Sequence, residues 1–183
     1  MTLSVRDAEA GDIAALHAIY SHHVLHGLGT FDEVPPTLAD FEAKWRASQE
    51  HRLSWLVAID NGAVVGFAYA SLFRPRRGYR YTVEDSVYIR DDYRKRGVGS
   101  ALLAPLLARC EALGVRQVVA VIGDSANTGS IRLHAKHGFR QAGTVAGAGF
   151  KFGRWVDIVL MQRALNGGAS GVPPEGAGWW RDG

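Results

Sequence analysis

The stretch "SVYIRDDYRKRGVGSALLAPLLARC", residues 86–110, constrains this chain most. A strand-like run is followed by cations, two glycines two apart, and an apolar run at helical spacing. A strand that turns through glycines into a helix leaves the first N–H groups of that helix open. Those donors and the helix dipole favour an anion such as phosphate. A full dinucleotide fingerprint needs a third glycine three residues on, where Leu102 stands, and the lysine–serine pair of a P-loop is missing. Gly97, Val98, Gly99 and Ser100 alone also fit an ordinary helix start. Arg94, Lys95 and Arg96 beside them favour a pyrophosphate.

The rest of the chain supplies the frame for that unit. "GDIAALHAIYSHHV" repeats apolar residues at helical spacing, and Thr37 opens a second helix, "LADFEAKWRASQ", just after two prolines. "LSWLVAID" and "AVVGFAYASLF" flank Asn61-Gly62, a strong hairpin signal because both residues tolerate positive φ. "YRYTVEDSVYI" reads as a strand, and the helix after the glycine turn extends to about Ala112 despite Pro105. "QVVAVI" is wholly apolar and reads as a buried central strand. "NTGSIRLHAKH" is a short helix stopped by Gly138, and "KFGRWVDIVLMQRAL" is a last strand. The order predicts one α/β domain over residues 1–165 with a mixed sheet. Residues 166–183 hold six glycines and two prolines and read as a disordered tail.

Composition limits the function. The 183 residues are 47% apolar and 21% charged, and no apolar run is long enough to span a membrane. Cys110 is alone, which fits a reducing cytoplasm. The net charge of +3 suits an anionic ligand without demanding nucleic acid. "FRPRRGYRY" mixes arginines with tyrosines, as RNA-binding patches do, but the small overall charge and the lack of an RNA-binding signature argue against that reading.

Three places can carry chemistry. In "TVEDSVYI", Thr82, Glu84, Ser86 and Tyr88 share one face; Val83, Val87 and Ile89 share the other. Asp85 falls on the apolar side, and a β-bulge would repair the alternation. Glu84 is either a solvated strand carboxylate or a general base. Asn127, Ser130 and His134 share one stripe of the short helix, either its wet face or a site wall. Arg74 and Arg76, with Tyr79 nearby, can grip a carboxylate bidentately.

"RKRGVG" matches the R/Q-x-x-G-x-G/A motif of the GNAT acetyltransferase superfamily, and "NTGSIRLHAKHGF" resembles a second motif of that family. "FDEVP", "FRPRRGYRYTVEDSVYI", "VVAVIGDSANTGSIRLH" and "GFKFGRWVDIVLMQ" together resemble its phosphinothricin / methionine sulfoximine N-acetyltransferase branch. The resemblance covers residues 3 to 165. It implies a curved mixed sheet, with acetyl-CoA between two splayed parallel strands and its pyrophosphate on Arg94–Ser100. It implies Glu84 as the base, and Val87 or Tyr88 as the N–H facing the thioester. Ile89 would pair with the pantetheine amide, and Asn127 and Ser130 would lie beside it. His134 would serve the leaving thiolate. Arg74, Arg76 and Tyr79 would clamp an amino acid, with Thr30 and Phe31 on a loop closing over it. Lys151 and Trp155 would finish the pocket wall or a dimer contact. The activity implied is transfer of acetyl to the α-amine of a small amino acid or analogue, in a cytoplasmic homodimer, without a metal or a nucleophilic cysteine. The rival readings are an acetyltransferase for another amine and a CoA-binding module without catalysis.

Overall fold

The computed structural model describes residues 2–173. Seven strands form one mixed sheet: β1 (Leu3–Asp7), β2 (Trp55–Asp60), β3 (Ala63–Leu72), β4 (Thr82–Ile89), β5 (Gln117–Gly123), β6 (Arg140–Lys151) and β7 (Arg154–Ala164). Four helices join them: α1 (Ile13–His26), α2 (Leu38–Glu50), α3 (Val98–Ala112) and α4 (Thr128–Lys136). The strand order is β1-β2-β3-β4-β5-β7-β6. Only β4 and β5 run parallel. They pair from Thr82–Asp85 to Gln117–Ala120 and then part, although both strands continue. That parting is the splay the resemblance implies.

Local chemistry sets the element ends. Asn61 and Gly62, at φ of 50° and 79°, make the β2–β3 turn. Thr37 caps α2 by accepting from the Asp40 N–H, and Asn127 caps α4 by accepting from Ser130. α3 runs through Pro105 unbroken.

The sheet separates two cores. On one face α1 and α2 pack Leu16, Tyr20, Val24 and Phe41 against Trp55, Val57, Phe67, Tyr69 and Tyr88. On the other, α3 packs Leu102, Leu103, Leu106 and Cys110 against Leu56, Ala58, Val83, Val118 and Ala120. Strand alternation therefore sends Glu84 and Asp85 to opposite faces.

Three expectations are corrected. β1 and β6 are strands that the sequence pattern does not reveal. No bulge lies at Asp85: the β3–β4 register is unbroken from Gly66↔Ile89 to Leu72↔Val83. Asp85 is buried because it has a partner, described below. The predicted disordered tail also begins differently. Asn166 donates to the carbonyls of Glu111 and Val115, and Arg116 donates to those of Gly168 and Ser170. Trp179, Trp180 and the rest of 174–183 lie outside the described residues.

Candidate active site

The opening between β4 and β5 is lined by backbone. The Arg90 N–H bonds to the Val65 carbonyl of β3. Strand residues alternate the edge to which they offer N–H and C=O, so Tyr88 points toward β3 while Val87 and Ile89 point into the opening. Of the two predicted thioester donors, the parity favours Val87. Ile89 is not wholly free: its carbonyl accepts from His23 Nε2 of α1 at 2.9 Å. That partner carries no sequence signal, because it depends on how α1 crosses β4.

α3 begins beside the opening. Gly97 is its N-cap at φ 83°, Lys95 also has positive φ, and no side chain caps the helix. Its first N–H groups thus lack the acceptor that Thr37 and Asn127 supply elsewhere. Gly99 is closely packed: a Cβ there would stand 2.9 Å from the end of the Leu133 side chain and 3.1 Å from that of Ile89. Lys95, Arg96 and Gly97 are exposed, as is Arg94, which pairs with Asp91 at 2.9 Å. Arg96 lies over the Tyr93 ring. Ser100 is turned aside, its hydroxyl 2.7 Å from His137 Nε2.

On the α1/α2 face, Glu84 stands across from Ser71 and diagonal to Tyr69, which pairs with Ser86. Burial raises the Glu84 pKa above its usual value; Asp85 adds to the rise, while Arg74 and Lys44 partly offset it. Lys44, which the sequence reading missed, donates to the Tyr69 hydroxyl at 2.9 Å. Tyr20 hydrogen-bonds Asp32 at 2.6 Å and Thr30 at 3.1 Å, and meets Tyr88 edge-on. Thr30 is buried, and Phe31 is half-exposed at 37%. Arg74, Arg76 and Tyr79 are exposed on the β3–β4 connection. Arg74 stacks on Phe73, and the Arg76 side chain has no hydrogen-bond or ion-pair partner among the described residues.

His134 is not on a wet face. It is 3% exposed, with Nε2 at 2.9 Å from Asp85 Oδ2 and Nδ1 at 2.8 Å from the Ser130 carbonyl. Nδ1 also lies 3.3 Å from the Ser130 hydroxyl, and the acceptors facing the two nitrogens favour the charged ring. The ring is buried and engaged at both nitrogens, by Asp85 and by Ser130. Its partner Asp85 was missed, although a carboxylate on an apolar strand face signals a buried counter-ion. Asn127 and Ser130 do sit at the head of α4 as predicted. Cys110 is buried, with its thiol pushed up to about 12, so it is no nucleophile.

The pair makes stability depend on pH. Burial alone would lower the His134 pKa; the bond to Asp85, its charge and the Ser130 carbonyl outweigh this, and the net shift is upward. A raised folded-state pKa stabilises fully below the unfolded value of about 6.5 and loses that contribution as pH climbs through the folded value. The melting temperature of the wild type minus that of His134→Gln should therefore shrink as pH rises from about 6 to 9. A difference that is constant or grows over a melting series would contradict the ion pair.

A parallel pair that splays, an uncapped basic glycine turn and the partly buried Glu84 fit an acyl-transfer type of α/β enzyme. The profile of the Acetyltransferase (GNAT) family matches residues 15–139, and the chain belongs to that family. It is 49% identical to a phosphinothricin N-acetyltransferase of Alcaligenes faecalis, over 93% of this chain and 86% of the relative. It is 41% identical to an L-methionine sulfoximine/L-methionine sulfone acetyltransferase of Pseudomonas paraeruginosa, over 91% of this chain and 96% of the relative. Its fold superposes on a phosphinothricin acetyltransferase of Sinorhizobium meliloti crystallised with acetyl-CoA. The TM-score is 0.92 at 44% identity, over 96% of this chain and 95% of that one.

Proposed function

We propose that the protein transfers acetyl from acetyl-CoA to the α-amine of a small free amino acid or analogue, as a homodimer in the cytoplasm. Methionine sulfoximine, methionine sulfone and phosphinothricin lead the candidates, since the relatives above are named for them. The observation that carries the reading is Glu84, a carboxylate with a raised pKa on β4, three residues before the Val87 N–H that faces the opening. Arg74 and Arg76 on the adjoining connection support a carboxylate-bearing substrate. The exposed Phe150, Phe152 and Trp155 on the β6–β7 hairpin support a second copy as partner.

Attack is direct, in a ternary complex. An ammonium cannot attack, so Glu84 accepts one proton from it, directly or through a water. A carboxylate with a raised pKa is better matched to that task than an ordinary one. The freed nitrogen bonds to the thioester carbon, and the Val87 N–H donates to the oxyanion that forms. Collapse breaks the carbon–sulfur bond; the nitrogen sheds its second proton to give the neutral amide, the leaving thiolate takes up one proton to become the free thiol, and the proton held by Glu84 passes to solvent. The open N–H groups of α3, with Arg94 and Arg96, hold the pyrophosphate of acetyl-CoA. Asn127 and Ser130 lie along its pantetheine arm. His134 acts by tying α4 to β4 through Asp85.

The carboxylate clamp gives a direct test. Arg76→Ala should raise KM for free amino acids by roughly 10- to 100-fold, the scale of a lost charge-assisted hydrogen bond. Amidating the substrate α-carboxylate should have a similar effect in the wild type and little further effect in the variant. Amidated substrates that react as well as the free acids would replace this reading with an acetyltransferase for another amine.

A further inference from the structure

The loop between α1 and α2 carries Thr30, Phe31 and Asp32, and it is held at four points, three on the sheet and one on α1. The first is Gly123, at the end of β5, where a Cβ would overlap the Leu28 carbonyl. Gly149 on β6 is the second, and a Cβ there would overlap the Phe31 ring. The third is Tyr20, whose hydroxyl bonds Asp32 and Thr30 from α1. The fourth is Lys151, the last residue of β6, only 1% exposed, whose Nζ donates to the Thr30 carbonyl at 2.8 Å.

We infer that Lys151 is a positioning residue for the amine substrate, fixing Thr30 and Phe31 as a standing wall of the acceptor site instead of a lid that closes. The inference rests on the amino-acid acetylation proposed above. A buried ammonium is unusual unless something needs it. No carboxylate lies within ion-pair distance of it among the described residues. Its hydrogen-bond partner is the loop carbonyl, with the Phe152 ring 5.0 Å away; loss of water lowers its pKa, with Asp32 and Glu33 partly restoring it. An apolar side chain could fill the same volume but would leave the Thr30 carbonyl without a donor. The two glycines add close contact at Leu28 and Phe31, so the loop has little room to swing. Tyr20 extends the arrangement to Tyr88, on the same strand and the same face as Glu84.

The test compares Lys151→Met and Lys151→Arg with the wild type, by steady-state kinetics and by hydrogen exchange of the amides of residues 28–33. Lys151→Met should raise KM for the amino acid about tenfold or more, as expected for one lost charge-assisted bond. KM for acetyl-CoA should stay within about twofold, because the glycine turn is untouched. Exchange at 28–33 should quicken about tenfold, while the buried amides of α3 stay protected. Lys151→Arg, which keeps the charge and the donors, should recover part of both effects. Should Lys151→Met fail to fold, Lys151→Gln carries the same comparison. Unchanged loop exchange, or equal rises in both KM values, would overturn the positioning role. Failure of the wild type to acetylate any amino acid would remove the proposed function, yet the exchange arm would still decide whether Lys151 pins the loop.

Discussion

Glu84→Gln is expected to slow turnover by about 100-fold or more while both substrates still bind, the usual scale for losing a general base. Glutamine keeps the size and much of the hydrogen bonding of glutamate but cannot take a proton. The effect should therefore fall on kcat, read as thiol release at saturating amine and acetyl-CoA, with little change in either KM. The pH profile sharpens the test. Burial raises the Glu84 pKa, so the base is active above that raised value and is lost as pH falls through it. The wild type should show an acidic limb above the ordinary glutamate range of about 4.3, and the variant should lack it. A variant with near-wild-type turnover and the same limb would remove Glu84 from the reaction.

The second large effect concerns the turn before α3. Gly99→Val should weaken acetyl-CoA binding at least about tenfold by calorimetry, about 1.4 kcal/mol. A Cβ at this position already presses on Leu133 and Ile89, and branching at Cβ enlarges the intrusion. The displaced groups are a helix that lines the opening and a strand residue that faces it. The double variant of Arg94→Ala and Arg96→Ala should act in the same direction through charge alone, and its loss should diminish as salt is raised. KM for the amine should change little in both. Undiminished acetyl-CoA affinity in either variant would separate the basic glycine turn from pyrophosphate.

The sequence discloses the parts of this fold whose chemistry is local. Asn61-Gly62, Thr37 and Gly138 each satisfy a rule that holds within four residues, and each ends or turns an element as predicted. The alternation in "TVEDSVYI" separates Glu84 from the apolar row correctly. β6 escapes notice because "RQAGTVAGAGFK" is rich in glycine and alanine and has irregular exposure. It is a strand because β7 offers it an edge, with register breaks at Gln141/Gly143 and Val145/Gly149. β1 is five residues at the other edge and is defined by pairing with β2.

The site divides along the same line. The glycine turn, the strand that carries the proposed base and the arginine segment are contiguous in sequence and can be picked out there. His23 on the Ile89 carbonyl, Lys44 on Tyr69 and Lys151 on Thr30 join residues 66, 25 and 121 positions apart. Such pairs exist only once helices are laid on the sheet. Asp85 lies between the two cases. Its place on an apolar row calls for a partner, and His134 on the opposing helix supplies it at 2.9 Å. Of the two readings of the stripe, the wet face fails for His134, which meets the Phe139 ring edge-on and pairs with Asp85.

The central claim, acetyl transfer to a small free amino acid, is tested most directly by coupled thiol release from acetyl-CoA over a matched panel. The panel holds methionine sulfoximine, methionine sulfone, phosphinothricin, methionine, glutamate, a polyamine and a lysine-containing peptide. A site whose donors pair with tetrahedral oxygens leaves them unpaired when methionine binds, and such a site rejects methionine strongly. One or more of the first three should therefore show the highest kcat/KM, above both methionine and glutamate. A polyamine or the peptide outcompeting every amino acid, or no thiol release with any of them, would contradict the claim.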